Sequence, residues 1–375
     1  MLIGAVCLAV TAVYGASAPP PGLYVRDGAL MRAGKPFYGI GVNYFDCFAR
    51  HLKDPQDTSY EQGFRQLKDR GIPFVRFMAT GFWPVDMKLY TENPKEYFSR
   101  MDRVVKAAER LGIGLIPSLF WTLSTVPDLV GEPVNSWGDP ASKTHAWMRK
   151  YTSEVVRRYR RSPAIWGWEL GNEYNLAADL PNAKDHRPPV WPTLGTPSSR
   201  SEKDEITHAM MRTALREFGK EVRKHDRERV IISGNSIPRP SAWHQQRELS
   251  WTKDTPEQFR EMLKGDNPDP LDTLCIHAYA PEDTERLGHA LAASREVGKP
   301  LFVGEFGVPG PQTADSERAF RTMLSQIVEM RVPFSALWVF DFAHQDREWN
   351  VRADNERAYQ LDAVAEANRQ LGALR

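Results

Sequence analysis

The sequence predicts an α/β fold: a (β/α)8 TIM barrel preceded by a short N-terminal β-hairpin. Three observations predict it. After residue 36, eight short apolar runs bounded by Gly or Pro alternate with stretches of helical periodicity. That is the rhythm of a parallel sheet covered on both faces. The first run, Gly39-Ile40-Gly41-Val42-Asn43, lacks the glycine spacing of a dinucleotide-binding turn, which argues against an open doubly wound sheet. At 375 residues the chain can also bury a large core without covalent staples.

The elements follow in order. Leu23-Tyr24-Val25-Arg26 and Ala29-Leu30-Met31 flank Asp27-Gly28, a tight hairpin turn. Strand one spans 37–42 and ends at Asn43. Helix 61–70 places Phe64 and Leu67 on one side, Gly71 ends it, and strand two follows at 73–77. Helix 97–111 carries Phe98, Met101, Val105 and Ala108 at helical spacing; Gly112 stops it before strand three, 113–120. Helix 145–159 repeats Trp147, Tyr151, Val155 and Tyr159, and leads to strand four, 164–170. The Pro-rich stretch 180–203, with Trp191, is too long for an ordinary connection and reads as a lid or wall of a site. Helix 206–225 precedes strand five, 229–233. A second insert, 238–270, carries Trp243 and Trp251 and reads as irregular. Strand six (273–277), helix 282–297, strand seven (300–304), helix 316–330, strand eight (334–340) and a last helix near 354–373 complete the series.

Residues 1–18 are apolar and end in Ala16-Ser17-Ala18. They resemble the centre and cleavage site of a secretory signal, although the basic start is missing. The expectation is a secreted or periplasmic, monomeric protein with one catalytic domain over 19–375 and no membrane association after cleavage. With 49 basic and 48 acidic residues, there is no electrostatic case for a nucleic-acid partner. Cys47 and Cys275 are expected to be buried free thiols. With no CxxC or HExxH pattern, neither a metal nor another cofactor is expected.

Polar residues gather where the strands end. Asn43 follows strand one, Arg76 lies at strand two and Trp121 follows strand three. Asn172-Glu173 follows strand four, His277-x-Tyr279 strand six and Glu305 strand seven, while Trp338 lies in strand eight. On a barrel all these ends open into one bowl. Two carboxylates facing each other there suit glycosidic bond cleavage, in which one is the acid and the other the nucleophile or base. Arg76 and Tyr279 are placed to hold Glu305 ionised, and its charge would help keep Glu173 protonated. Asn172 suits a sugar hydroxyl, and Trp121 and Trp338 suit the flat faces of sugar rings. Trp191 and Trp243 serve either as packing or as further platforms. Glu169 falls within strand four and is expected to be structural, turned away from the surroundings of Glu173.

Trp168-Glu169-Leu170-Gly171-Asn172-Glu173, followed by Phe302-Val303-Gly304-Glu305-Phe306-Gly307, resembles the retaining β-glycosidases of the large barrel superfamily. Within it the chain is most similar to glycoside hydrolase family 5, which holds cellulases and β-mannanases. The resemblance runs from about residue 23 to the end and includes Arg76, the His277-x-Tyr279 pair and Trp338. It implies Glu173 as acid/base, Glu305 as nucleophile and Trp338 as the floor of the sugar at the cleavage point. Many members carry His near the end of strand three, where this chain has Phe120-Trp121. The implied activity is double-displacement hydrolysis of β-linked glucan or mannan, of endo-β-1,4-mannanase or glucanase type. Its partner would be an oligo- or polysaccharide. The alternatives are a carbohydrate-binding barrel without catalysis and an exo-acting β-glycosidase on short oligosaccharides.

Overall fold

In the computed structural model, which describes residues 19–373, Asp27 and Gly28 both adopt left-handed φ (51° and 75°). This tight turn folds β1 (Leu23–Arg26) antiparallel onto β2 (Ala29–Arg32), and β3 (Lys35–Pro36) pairs with β2. Leu23, Leu30 and Phe37 pack against Trp166, Phe74, Ile116, Phe302 and Phe334 at the N-terminal mouth of the barrel. Leu23 N also donates to Trp166 O (2.8 Å). The hairpin therefore plugs the floor and leaves the other mouth free for a site. The expected signal segment, 1–18, lies outside the described residues.

Eight parallel strands follow: β4 (Gly39–Asn43), β5 (Phe74–Met78), β6 (Gly114–Phe120), β7 (Gly167–Gly171), β8 (Val230–Ile232), β9 (Leu274–Tyr279), β10 (Leu301–Gly307) and β11 (Phe334–Leu337). Their ladder runs β8-β7-β6-β5-β4-β11-β10-β9. The seam between β8 and β9 is bridged otherwise. Asp272 N donates to Ile231 O (3.1 Å) and Ile237 N to His277 O (3.2 Å). The Asn267 carboxamide oxygen accepts from Ser233 Oγ (2.6 Å) and Cys275 N (3.2 Å). β8 is only three residues long, so side chains complete the ring there.

Helices cover the outside: α1 (Cys47–Lys53), α2 (Ser59–Asp69), α3 (Lys88–Glu92), α4 (Pro94–Leu111), α5 (Thr125–Val130) and α6 (Lys143–Tyr159) over the first half. The second half carries α7 (His208–Arg223), α8 (Ala242–Glu248), α9 (Pro256–Gly265), α10 (Thr284–Val297), α11 (Ala314–Glu329) and α12 (Ala358–Ala373). The longest, α4, shows why they form. The Asn93 side chain accepts from Glu96 N, Pro94 opens the first turn, and Gly112 closes the last in left-handed conformation. Such an N-cap contributes about 1 kcal/mol. Tyr97, Met101, Val104, Val105 and Ala108 form its buried stripe.

The structure departs from the sequence expectation in several places. The insert 238–270 is not irregular, because it holds α8 and α9. A Thr255/Gln258 capping box starts α9, and Phe259, Met262 and Leu263 give it a buried face. The eighth barrel strand stops at Leu337 instead of continuing to 340. Helices α1, α3 and α5 went unpredicted, since five to seven residues are too few to display a period. The stretch 180–203 is a chain of single turns without long elements. Cys47 and Cys275 are buried and unbridged. Among the described residues no helix is long and apolar enough to cross a membrane.

Candidate active site

Glu173 emerges from β7 through a close approach to the next strand end. Its φ is 56°, an unusual value for a residue with a side chain. Its N–H donates to Gly234 O (2.8 Å). Gly234 has φ 74°, and a Cβ there would lie 1.8 Å from Gly171 O, so only glycine lets the two backbones meet. Beyond the turn, the Asn175 amide donates to Ser236 O (2.9 Å) and accepts from Ser236 N (3.0 Å). These bonds fix the segment that carries Glu173 to the segment after β8.

Glu305 projects from within β10 and is 3% exposed. Arg76 Nη1 donates to its Oε1 (2.8 Å), and the Tyr279 hydroxyl donates to its Oε2. Arg76 is wholly buried and makes three further sets of bonds. Its Nε donates to both Glu169 oxygens (2.8 and 2.9 Å), Nη1 to Asn43 Oδ1 (3.0 Å) and Nη2 to Asn172 Oδ1 (2.8 Å). Its guanidinium lies 4.5 Å from the Trp121 ring centre. Asn43 is also wholly buried, and its amide donates to Gly304 O (2.9 Å). Expected as a substrate contact, Asn43 instead lies beneath the site and holds Arg76. Glu169, expected to point away, is fully buried and shares Arg76 with Glu305.

His277 links the two glutamates. Its Nδ1 lies 3.0 Å from Glu173 Oε1 and 3.5 Å from Glu305 Oε1. Its Nε2 is buried and has no hydrogen-bond partner among the described residues. When the ring is neutral its proton belongs on Nδ1, because the other tautomer would bury an unpaired N–H and turn a lone pair toward carboxylates. One oxygen of each glutamate and a ring nitrogen of His277 all lie within 4.8 Å of one another. Such a trio could also offer ligand atoms to a metal ion. The guanidinium bonded to Glu305 already supplies positive charge there, which suits proton chemistry better than a dication.

The two carboxyls differ in environment, in the opposite sense to that expected from the sequence. Burial pushes the Glu305 pKa up, and repulsion from Glu173 adds to this; the charges of His277 and Arg76 and the Tyr279 hydrogen bond counter without reversing it. Burial also raises the Glu173 pKa, but the His277 hydrogen bond and charge, with a smaller contribution from Ser236, bring it below its usual value. The Glu173 side chain is 28% exposed against 4% for Glu305, and the His277 hydrogen bond goes to Glu173; the two together set the difference. Burial raises the Tyr279 hydroxyl far above its ordinary range, so it remains a donor.

Aromatic rings line the remaining wall. Trp338 is half-buried, donates through Nε1 to Gln345 (2.9 Å) and lies against Trp121 at 6.1 Å and 24°. Trp349 packs on Tyr279 at 4.9 Å. Trp243 is engaged by Glu261 (3.0 Å) and Arg247 on the surface of the second insert. Sequence reasoning missed Ser236, Gln345 and Trp349, all in connections with no periodicity to reveal their direction.

The family model for cellulase, glycosyl hydrolase family 5, matches residues 32–343. A mannan endo-1,4-beta-mannosidase A from Podospora anserina is 30% identical over 156 residues, 37% of this chain and 41% of that protein. A probable mannan endo-1,4-beta-mannosidase F from Aspergillus flavus is 37% identical over 98 residues, 21% of this chain and 18% of its own length. The matched stretch thus spans less than half the length of these curated relatives. Among solved structures, the endo-1,4-beta-mannanase from Rhizomucor miehei superposes with a TM-score of 0.68 at 15% identity, covering 94% of this chain and 99% of that one. A family 5 mannosidase from the same organism gives 0.69 at 13% identity, covering 94% and 98%. At such identities the superpositions establish the barrel fold.

Proposed function

The chain belongs to glycosyl hydrolase family 5, and from that premise we propose that it is a retaining β-glycoside hydrolase that cuts β-1,4-mannan within the chain. Glu305 is the nucleophile and Glu173 the acid/base. The mannan preference rests on the names of its relatives. One observation carries the mechanism: Glu173 and Glu305 each present an oxygen within 4.8 Å of the other. Retaining glycosidases hold their carboxyls about 5–5.5 Å apart, whereas inverting ones leave room for a water.

In the first step Glu305 attacks the anomeric carbon and the bond to the leaving sugar breaks. Glu173 delivers its proton to the leaving oxygen, and a glycosyl ester forms on Glu305. Arg76 and Tyr279 hold both Glu305 oxygens in line and stabilise the charge that returns at the second step. Of the two carboxyls, Glu305 holds a proton the more readily, because burial raises its pKa while the His277 bond lowers that of Glu173. A bound sugar covers the exposed Glu173 and withdraws it from water, which favours its protonated form, while Glu305 keeps Arg76 and Tyr279. Once the ester has formed, Glu305 carries no charge. Glu173 then loses its proton readily and accepts one from the water that attacks the anomeric carbon. The Asn172 amide nitrogen makes no hydrogen bond to protein among the described residues, and it suits a sugar hydroxyl.

Two measurements test the reading. Proton NMR of the first product of mannan cleavage should show the β-anomer; initial release of the α-anomer would exclude double displacement. Glu173→Ala should slow substrates with poor leaving groups at least tenfold more than an activated aryl glycoside, since only the former need the proton. Tight oligosaccharide binding with no turnover in the unaltered protein would instead support a barrel that only binds.

A further inference from the structure

Residues 233–239 leave β8 without regular structure, yet Ser233 to Pro238 are all buried. A buried irregular stretch must find partners for its polar groups. Here several of those partners belong to the residues around the proposed acid/base. On one side the stretch grips the turn that carries Glu173. Gly234 O accepts from Glu173 N (2.8 Å), the Ser236 backbone exchanges two bonds with the Asn175 amide (2.9 and 3.0 Å), and Arg239 Nε donates to Leu176 O (2.9 Å). On the other side Ile237 N donates to His277 O (3.2 Å). The root is anchored as well: Ser233 Oγ donates to Asn267 Oδ1 (2.6 Å) and Asn235 Nδ2 to Asp266 O (2.9 Å). One short segment thus sets the backbones of Glu173 and His277 with respect to each other.

Backbone placement does not by itself fix the Glu173 carboxyl. Its side chain is 28% exposed, so packing leaves it room to turn. His277 Nδ1 gives it one hydrogen bond, and the same nitrogen lies 3.5 Å from Glu305 Oε1. The Ser236 hydroxyl makes a second hydrogen bond to Glu173. A carboxyl held at one point can pivot about it; held from two elements, it keeps its plane. A protonated carboxyl retains acceptor lone pairs, so both donors can hold Glu173 in either charge state. The charges of Arg76, Glu305 and Arg239 also act on Glu173, but they attract or repel without fixing a direction.

We propose that Ser236 is a positioning residue, whose hydroxyl aims the Glu173 carboxyl first at the leaving oxygen and then at the attacking water. This role rests on the proposed glycosidase function. General acid–base catalysis contributes about 10²–10⁴-fold and depends on reach, so a carboxyl freed to pivot loses part of that, about tenfold. Attack by Glu305 does not pass through Ser236 and keeps its rate.

The test uses aryl glycosides of β-1,4-mannobiose that differ only in the acidity of the leaving phenol. Ser236→Ala removes the hydroxyl and keeps the backbone bonds to Asn175. Its kcat/KM should fall about tenfold on the least acidic phenol, which needs a proton, and stay within about twofold on a dinitrophenol, which does not. On the dinitrophenyl substrate kcat should fall as well, since breakdown of the ester then limits turnover and needs Glu173 as base. Ser236→Cys fills the space but donates weakly, so it should behave like Ser236→Ala, and it keeps the test open should the alanine variant fold poorly. Ser233→Ala removes another buried hydroxyl from the same segment, one bonded to Asn267, and should leave the dependence on the phenol unchanged. An unchanged dependence in Ser236→Ala, an equal fall on both phenols, or parental behaviour of Ser236→Cys overturns the assignment. Unaltered protein that cleaves none of these substrates overturns the glycosidase reading instead, a failure seen before any variant is made.

Discussion

Replacing Tyr279 with Phe removes one atom from the site and tests what keeps Glu305 ionised. The ring should stay in place, because it packs on Trp349 at 4.9 Å and Phe preserves that contact. The loss is the hydroxyl that donates to Glu305 Oε2. Hydrogen bonds to charged groups contribute about 1.5–3 kcal/mol, and Glu305 is 3% exposed, so water replaces the donor poorly. Only the part of that energy gained in the transition state over the free enzyme counts; were all of it so gained, kcat/KM would fall by about ten- to a hundredfold. The pH profile supplies the sign. The proposed attack requires ionised Glu305, whose pKa burial already raises and Tyr279 lowers. Without the donor the pKa rises further, so the acidic limb of kcat/KM moves to higher pH. The limb belongs to the coupled pair of glutamates, and its direction of movement is the readout. The assay is a kcat/KM profile from acid to alkaline pH on one soluble substrate, with thermal unfolding to confirm the fold. A limb that stays in place, with kcat/KM within twofold of the parent, would refute the view that Tyr279 holds the nucleophile ready.

Other consequences follow from the same charges. Because burial raises the folded pKa of Glu305, the stability tied to its protonation is fully present below the ordinary carboxylate pKa and is lost as pH rises through the raised value. Glu305→Gln should therefore melt above the parent at neutral pH, with the gap closing toward strong acid; a parent that melts higher at neutral pH would show that Arg76 outweighs desolvation. Glu169→Ala removes one partner of a pair with no exposed surface on either side, which should cost about 3–5 kcal/mol by denaturant unfolding. A loss below about 1 kcal/mol would mean that Glu305, Asn43 and Asn172 satisfy Arg76 without it.

Residues that lie on regular strands were legible in the sequence, and those that depend on direction were not. Glu173 and Glu305 could be found because each ends or interrupts an apolar run, and a barrel brings all such ends to one mouth. Glu169 is structural, as expected, but its direction was misjudged: barrel strands alternate as well, and Glu169 shares the parity of Gly171 and Glu173, which turns it inward. Inside a barrel the inward positions of neighbouring strands share one small interior, and Arg76 is long enough to reach β4, β7 and β10 from β5. Asn43 was read as a cleft residue because position along a strand does not reveal depth. Helix α9 could have been found from Thr255-Pro256-Glu257-Gln258, a capping box with Pro at the first position. The order of the two carboxyl pKa values depends on relative burial and on which glutamate His277 faces, and no sequence pattern encodes either.

The arrangement explains why an arginine occupies position 76. Its Nε and both Nη atoms point in three directions at once, to Glu169, to Glu305 with Asn43, and to Asn172. A lysine offers one point charge and could not hold these acceptors in a fixed plane. Glu169 helps to neutralise the guanidinium, which would otherwise be buried beside Glu305, whose charge disappears when the proposed sugar ester forms. With Glu169 in place, Arg76 stays paired in both states of Glu305, so it need not move as the charge comes and goes. Under the proposed mechanism that constancy turns a costly buried ion pair into preorganisation: the donor to Glu305 is already positioned when the ester breaks and the carboxylate charge returns.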